Sequence, residues 1–299
     1  MYEHKMEPPP SDDADILIEE FELTRSLALE LTALSTGGFI IGAIVFSAIY
    51  TSLTGFSPEL SLQLNDGSLL RGIVPLFFIV ILTLVVVLLH ELIHGAVIRS
   101  FGVRPVFGAG LAYGFFPYAY VTAENARLSR NQFIAVVIAP LILISVLGTV
   151  FMVRLDWYWL VVPLAFNAGG SVGDLWMLVV VIRHREDVRI EDQKDGIRIY
   201  DTDAHPVPRR SFFTFVRYFL VGSALCAVVL WTLLGVVVPV LWQAIGGDAI
   251  ALEVPGTGWQ LVEYAWTADS GFSATISFSA ILALSSMGGF LYGVFRRDR

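Results

Sequence analysis

An apolar run that begins near Gly72 ends in the stretch Leu-Leu-His-Glu-Leu-Ile-His-Gly, residues 88–95. Its two histidines, His90 and His94, are four residues apart and therefore lie on one face of a helix, one turn from each other. Both imidazoles can then hold a single metal ion, and this His-Glu-x-x-His pattern is typical of zinc. Glu91 lies beside the pair and can take a proton from a water that the metal activates. The pattern predicts a metal centre inside a hydrophobic segment.

The composition predicts a membrane protein with several spanning helices. Of the 299 residues, 56% are hydrophobic and 15% are charged, and the mean hydropathy is +0.70. Ordinary soluble domains are about 45–50% apolar and about 25% charged. Apolar stretches of about 20 residues, the length that crosses a bilayer, recur at residues 32–53, 72–98, 132–153, 157–182, 218–242 and 273–295. We therefore predict an all-α polytopic membrane protein with about six transmembrane helices in the lipid bilayer.

The N-terminal segment has a different character from the rest of the chain. Residues 1–26 combine three prolines at positions 8–10 with a cluster of acidic residues. This segment is predicted to be an acidic cytoplasmic tail in solvent, and residues 27–299 a single membrane-embedded domain. An acidic start is the opposite of a basic signal peptide, so the first span is expected to be an uncleaved anchor. The net charge of −8 offers no basic surface for nucleic acid, and no such partner is expected.

The basic residues predict the orientation of the spans. If the N-terminus is cytoplasmic, only Arg71 and Arg154 face outward, and the other 17 of the 19 basic residues face inward. The positive-inside rule predicts this asymmetry for six spans in the cell membrane with both termini cytoplasmic.

Two segments between the spans are predicted to be more than connectors. Residues 101–124 are rich in Gly, aromatic and β-branched residues, which favours a membrane-associated hairpin or re-entrant loop. Such a hairpin could receive an extended peptide by β-addition, or it could be an aromatic belt at the membrane surface. A second, small cytoplasmic hairpin is predicted around Asp195-Gly196, after the fourth span.

A catalytic zinc site usually has three protein ligands and one open position. Asp174 is the best third ligand, because it is the only acid between Asp156 and Glu186. It lies nine residues before Arg183, as His90 lies nine residues before Arg99, so both are about 13 Å from the cytoplasmic arginines. Glu124 is the alternative third ligand, although its polar setting is also that of an ordinary solvated acid.

Asn167 lies seven residues before Asp174, two turns along the same helical face. Its amide could donate a hydrogen bond to a developing oxyanion or hold a substrate strand. It could equally be a polar contact between packed membrane helices.

These residues carry a family resemblance. The motif His90-Glu91-Leu92-Ile93-His94, with Asn167 and Asp174 in a later span, resembles the site-2 protease class of intramembrane zinc metalloproteases. More closely, it is similar to the prokaryotic group of zincin membrane peptidases, over a core of about residues 72–203. One departure is that Asp174 is followed by Leu175, where site-2 proteases typically carry an Asp-Gly pair.

The resemblance implies a zinc-dependent metallopeptidase that cleaves membrane-protein or peptide substrates within the membrane. His90, His94 and Asp174 would be the metal ligands, and Glu91 would act as general base and then as general acid. The alternatives are a non-proteolytic zinc-binding membrane protein, an inactive protease-like scaffold, or a zinc hydrolase that acts on lipids.

Overall fold

The computed structural model describes residues 15–56, 69–112, 116–123, 126–193, 196–202, 211–246, 249–254, 259–267 and 271–297. In this part the chain is mostly helical. The α-helices are α1 (Arg25–Thr54), α2 (Leu69–Ser100), α3 (Arg130–Arg154), α4 (Val161–Gly170), α5 (Val172–Ile182), α6 (Ser211–Thr232), α7 (Val238–Ala244) and α8 (Phe278–Arg297). A 3-10 turn, Tyr158–Leu160, precedes α4, and a π-helical turn, Leu233–Val237, joins α6 to α7.

Five helical segments of the described chain are long and apolar enough to cross a membrane: Arg25–Thr54, Phe77–Ser100, Arg130–Arg154, Tyr158–Ile182 and Thr214–Trp242. Large apolar side chains point away from the protein along them; on α2, for example, Phe77 is 65% and Leu88 58% exposed. Such surfaces are consistent with a membrane protein. The sixth predicted span falls on α8, whose apolar part is shorter, so the count of six remains a prediction.

The expectation of an all-α protein with two hairpins understates the β-structure. The strands are β1 (Ile16–Glu22), β2 (Val106–Ala112), β3 (Phe116–Thr122), β4 (Arg127–Ser129), β5 (Arg189–Gln193), β6 (Gly196–Asp201), β7 (Ile250–Val254), β8 (Trp259–Thr267) and β9 (Gly271–Ile276). Among the described residues β2 pairs only with β3, and β5 with β6 forms the hairpin on either side of residues 194–195. The remaining strands were missed because short amphipathic segments beside long apolar helices give a weak periodic signal.

The described chain groups into two compact units, and the single membrane-embedded domain over 27–299 stays a prediction. The first contains residues up to 25 and 42–208, and the second contains residues 26–41 and 209–299. Helix α1 therefore contributes its first half to the second unit and its second half to the first.

Unit one contains a four-stranded antiparallel sheet in the order β1-β6-β5-β4. Residues 16–22 were expected to be part of a solvated tail, and this expectation is wrong. Ile18 and Phe21 of β1 pack against the apolar cluster under the sheet, while Glu20 pairs with Arg198 on the neighbouring strand at 2.6 Å. Burial of apolar side chains and strand pairing together outweigh the acidity of the segment.

Helix α3 directly follows strand β4 in the chain, and a capping box fixes the start of the helix. The Oγ of Ser129 accepts a hydrogen bond from the Gln132 N–H at 3.3 Å, and the Gln132 side chain accepts one from the Ser129 N–H at 2.9 Å. This reciprocal pair satisfies two backbone donors that the first turn leaves free. The helix then continues through Pro140 to Arg154.

The fourth predicted span is interrupted at Ser171. Helix α4 ends at Gly170 and α5 begins at Val172. The Asn167 carbonyl accepts both the Ser171 N–H at 2.9 Å and the Ser171 hydroxyl at 2.8 Å. Small residues with an alternative hydrogen bond from a side chain favour such a break. The break makes Asp174 a residue of the first turn of α5.

Unit two packs α6 closely against α8 and carries the three-stranded sheet β7-β8-β9. At the crossing, a Cβ on Gly289 would come within 2.0 Å of the Ser223 Oγ, so only glycine permits this approach of the helices. The Arg217 guanidinium donates to Glu30 on α1 at 2.6 and 2.9 Å. The Tyr264 hydroxyl of β8 donates to the Leu234 carbonyl of the π-helical turn.

Candidate metal centre

Two helices of unit one supply the side chains of the site. His90 and His94 lie one turn apart on α2, near the end that carries Arg99. Asp174 lies in the first turn of α5, where the positive end of the helix dipole favours a negative charge. The break at Ser171 is therefore what gives the carboxylate this position.

The structure brings His90, His94 and Asp174 together. The Nε2 atoms of the two histidines are 3.1 Å apart. The Oδ2 of Asp174 lies 3.1 Å from the His90 Nε2 and 3.5 Å from the His94 Nε2. These three side chains are the one group of at least three His, Cys, Asp or Glu residues in the described chain that could hold a metal ion.

Each histidine is oriented by an acceptor on its other ring nitrogen. The His94 Nδ1 lies 2.8 Å from the Val136 carbonyl oxygen, and the His90 Nδ1 lies 3.0 Å from the Asn167 Oδ1. Because these oxygens can only accept, both Nδ1 atoms carry a hydrogen and donate it. The Nε2 atoms are then left with lone pairs that point toward each other and toward a carboxylate.

This donor set fits a zinc ion. Three electron-pair donors converge, and a cation between them removes the repulsion that they would otherwise have. Ligand atoms about 2.0–2.1 Å from a tetrahedral zinc lie about 3.3 Å from each other. The observed separations of 3.1, 3.1 and 3.5 Å bracket this value. Imidazole and carboxylate are ligands that zinc takes, and the other ring nitrogen of each histidine is held by a further hydrogen bond, as is usual in zinc sites.

Glu91 is next to the donors but is not one of them. Its side chain is half-buried, and within the described residues no hydrogen bond or ion pair engages its carboxylate. A carboxylate in a membrane helix costs about 2.5–3.5 kcal/mol near the bilayer centre, so residues of this kind are usually functional. Its position beside the two histidines leaves it available to exchange a proton.

The structure places Asn167 beside His90, and its oxyanion or substrate role stays a prediction. Its side-chain oxygen accepts the hydrogen of His90, so the residue contacts a metal donor directly. The residue is 4% exposed, and its Nδ2 is a buried donor without a partner among the described residues. That donor is the part of Asn167 left for another molecule, and the proposed oxyanion or substrate role falls on it.

Glu124, the alternative third ligand, lies outside the described residues. Two groups near the site were missed from the sequence: the Val136 carbonyl and the Asp192 carboxyl. Asp192 lies on β5 and accepts the Ala123 N–H at 3.3 Å. Loss of surrounding water raises the pKa of Asp192 to about 7, and the charge of Asp174 contributes to the increase. The available signal was that Asp192 shares a strand face with Ile190, whose side chain is buried.

The hairpin β2–β3 lies against the metal-site helix. A Cβ on Gly95 would come within 2.4 Å of the Phe107 ring, so this ring occupies the space next to His94 that a larger residue would fill. The two strands pair along their whole length, from Val106 with Thr122 to Ala112 with Phe116.

Comparison with known proteins agrees with this geometry. Residues 83–189 match a family described as "Putative zincin peptidase", and this stretch contains all four residues His90, Glu91, His94 and Asp174. The match supports a zincin-like family, which suggests a metallopeptidase.

The chain is also similar to an uncharacterised 24.7 kDa protein of Pyrococcus woesei. The two are 29% identical over 199 residues, which make up 67% of this chain and 80% of that protein. No solved structure matches the chain significantly.

Proposed function

We propose that this protein is a membrane-embedded zinc metallopeptidase, similar to site-2 proteases, that hydrolyses peptide bonds of membrane-protein substrates. The observation that carries the proposal is the convergence of His90, His94 and Asp174, donors within 3.5 Å of one another, on helical segments of membrane-spanning length, Phe77–Ser100 and Tyr158–Ile182. The similarity to zincin peptidases over residues 83–189 supports the same reaction class.

The two histidines and Asp174 would hold the metal. Zinc, when bound, supplies a Lewis acid that lowers the pKa of water and polarises a peptide carbonyl. The Val136 carbonyl and the Asn167 side chain keep the histidines in the tautomer that this binding needs.

Glu91 would move the proton. In the first step its carboxylate accepts a proton from the attacking water, and in the second it returns that proton to the leaving amine. The absence of any described hydrogen bond or ion pair to its carboxylate suits a group that must gain and lose a proton in each cycle.

The substrate must present an extended strand, because a helical peptide bond has its carbonyl and N–H already hydrogen-bonded. Among the described residues the sheet of β2 and β3 has two strands, and an outer edge of it could receive such a strand by β-addition. Phe107 places the hairpin on α2 beside His94. The small residues Gly169 and Gly170 at the end of α4 allow a neighbouring backbone to approach closely.

The decisive experiment compares Glu91→Gln with Asp174→Asn in the purified full chain and in cells. Glu91→Gln should retain zinc at the wild-type level, and its cleavage rate should fall about 10²–10⁴-fold, which is the contribution of a general base. Asp174→Asn should lose both zinc affinity and rate. Membrane proteomics of wild-type and Glu91→Gln cells should show shed fragments in the wild type alone. A wild-type fragment pattern in Glu91→Gln cells would mean that the metal is structural or is transported.

A further inference from the structure

Helix α3 contains a proline where its hydrogen-bond ladder would otherwise be continuous. In an α-helix the carbonyl of Val136 accepts the N–H of the residue four positions later, which is position 140. Pro140 has no N–H and is buried within α3. The ladder therefore leaves the Val136 carbonyl without its helical partner.

The metal site uses that carbonyl. The Val136 oxygen accepts a hydrogen bond from the His94 Nδ1 at 2.8 Å, and both residues are buried. This bond fixes the hydrogen on Nδ1 and turns the Nε2 lone pair toward His90 and Asp174. A carbonyl engaged in the helical ladder would meet a competing N–H at this position.

We propose that Pro140 is a positioning residue of the metal centre: its missing N–H reserves the Val136 carbonyl for His94. The inference rests on the proposed metal site, and it gives a role to a residue other than the three proposed metal ligands. It also explains why a helix in contact with the site retains a residue that disfavours helices.

Unit two, which contains none of the three proposed metal ligands, has the same arrangement. In the π-helical turn the Val238 N–H bonds to the Leu233 carbonyl, five residues earlier. The next bond of this pattern would join position 239 to the Leu234 carbonyl, but residue 239 is Pro239. The Tyr264 hydroxyl donates to the Leu234 carbonyl instead. A carbonyl released by proline thus accepts a side-chain hydrogen bond in each unit.

The test is cobalt binding to the purified full chain, measured by chelator competition and by the visible absorption of tetrahedral cobalt. Pro140→Ala restores an N–H that competes for the Val136 carbonyl. We expect cobalt affinity to fall about 10–100-fold, as when other residues that orient zinc ligands are lost, and the absorption band to change. The midpoint of thermal unfolding of the metal-free protein should not fall in parallel, because alanine favours a helix. Pro239→Ala, the matched control, should bind cobalt like the wild type.

A backbone ester at position 140 separates the effect of the missing N–H on cobalt affinity from the effect of the proline ring. Lactic acid at position 140 has the side chain of alanine but no N–H. Cobalt affinity should therefore return to within a few-fold of the wild type, although the ring is gone. If the alanine protein does not fold, the ester protein decides alone, and an affinity at least 10-fold below the wild type overturns the inference.

The outcomes separate this inference from the proposed function. Wild-type cobalt affinity and absorption in Pro140→Ala overturn the role of Pro140 and leave the metal site intact. Equal weakening by alanine and by the ester shows that the proline ring, not the missing N–H, matters, and also overturns it. A wild-type protein that binds no cobalt overturns the proposed function and this inference together.

Discussion

The Oε2 of Glu19 on β1 lies 2.9 Å from the Nε2 of His184, immediately after α5. The other ring nitrogen of His184 lies 3.0 Å from the Val180 carbonyl oxygen, and the His184 side chain is 1% exposed. Arg183 adds a second, longer contact to Glu19 at 3.5 Å. Contacts from His184 and Arg183 to Glu19 therefore join the N-terminal strand to the end of the helix that carries Asp174.

The contact between Glu19 and His184 predicts a pH-dependent contribution to stability. The hydrogen bond and charge of His184, with a smaller contribution from Arg183, lower the pKa of Glu19 below its ordinary value of 4.5, although burial opposes them. A carboxyl whose pKa is lowered by folding stabilises the folded state at pH values above its pKa in the unfolded chain. That stabilisation is lost as the pH falls through its pKa in the folded protein. Glu19→Gln should lower the unfolding midpoint at pH 7, and the difference from the wild type should shrink below about pH 4.

Glu22→Gln is the matched control, because Glu22 is an exposed acid on the same strand. It should change the unfolding midpoint little at either pH. An equal deficit of Glu19→Gln at both pH values would show that the pair with His184 does not provide the stabilisation.

Substitutions of Asn167 can test its side-chain oxygen and its side-chain Nδ2 separately. Asn167→Ala removes the oxygen that holds His90, so zinc affinity should fall about 10–100-fold. Asn167→Asp keeps an oxygen acceptor but lacks the Nδ2 donor; it should retain zinc and lose cleavage rate if that donor binds the substrate. Chelator competition and a cleavage assay measure the two effects. Unchanged zinc affinity in Asn167→Ala would argue against its contact with His90.

The orientation in the membrane can be tested with single cysteines. In a Cys226→Ser background, we expect Ala251→Cys, on the exposed strand β7, to react with an impermeant maleimide in intact cells. Arg185→Cys lies in the predicted cytoplasmic loop and should react only after permeabilisation. Labelling of Arg185→Cys from outside would contradict the predicted topology.

The metal-site residues could be chosen from the sequence because their signals are local. The i, i+4 spacing places His90 and His94 on one helical face whatever surrounds them. Asp174 could be paired with them because a lone acid in an apolar span has few possible partners, and equal depth is readable from the flanking arginines. The structure places all three together.

The remaining parts of the site depend on backbone groups and on hydrogen bonds that cannot be recognised from residue types alone. Every residue type has a backbone carbonyl, so nothing in the residue type of Val136 marks its carbonyl as functional. What distinguishes this carbonyl is that Pro140 cannot donate the helical hydrogen bond to it. At the break, the Ser171 hydroxyl adds a second hydrogen bond to the Asn167 carbonyl, which already accepts the helical N–H of Ser171, and such side-chain bonds favour a bend in a helix of otherwise suitable length. β1 was missed because its glutamates suggested solvent, whereas their partners lie more than 160 residues away.

β1 also has a consequence for how the protein can be handled. It covers one side of β6, and β5 covers the other, so β6 has no open edge. Removal of residues up to 22, by proteolysis or truncation, would expose a row of unpaired N–H and C=O groups on β6. Such an edge is a template for pairing with another chain. The N-terminal strand thus acts as a guard against self-association, and shortened forms of this protein should aggregate through their sheets.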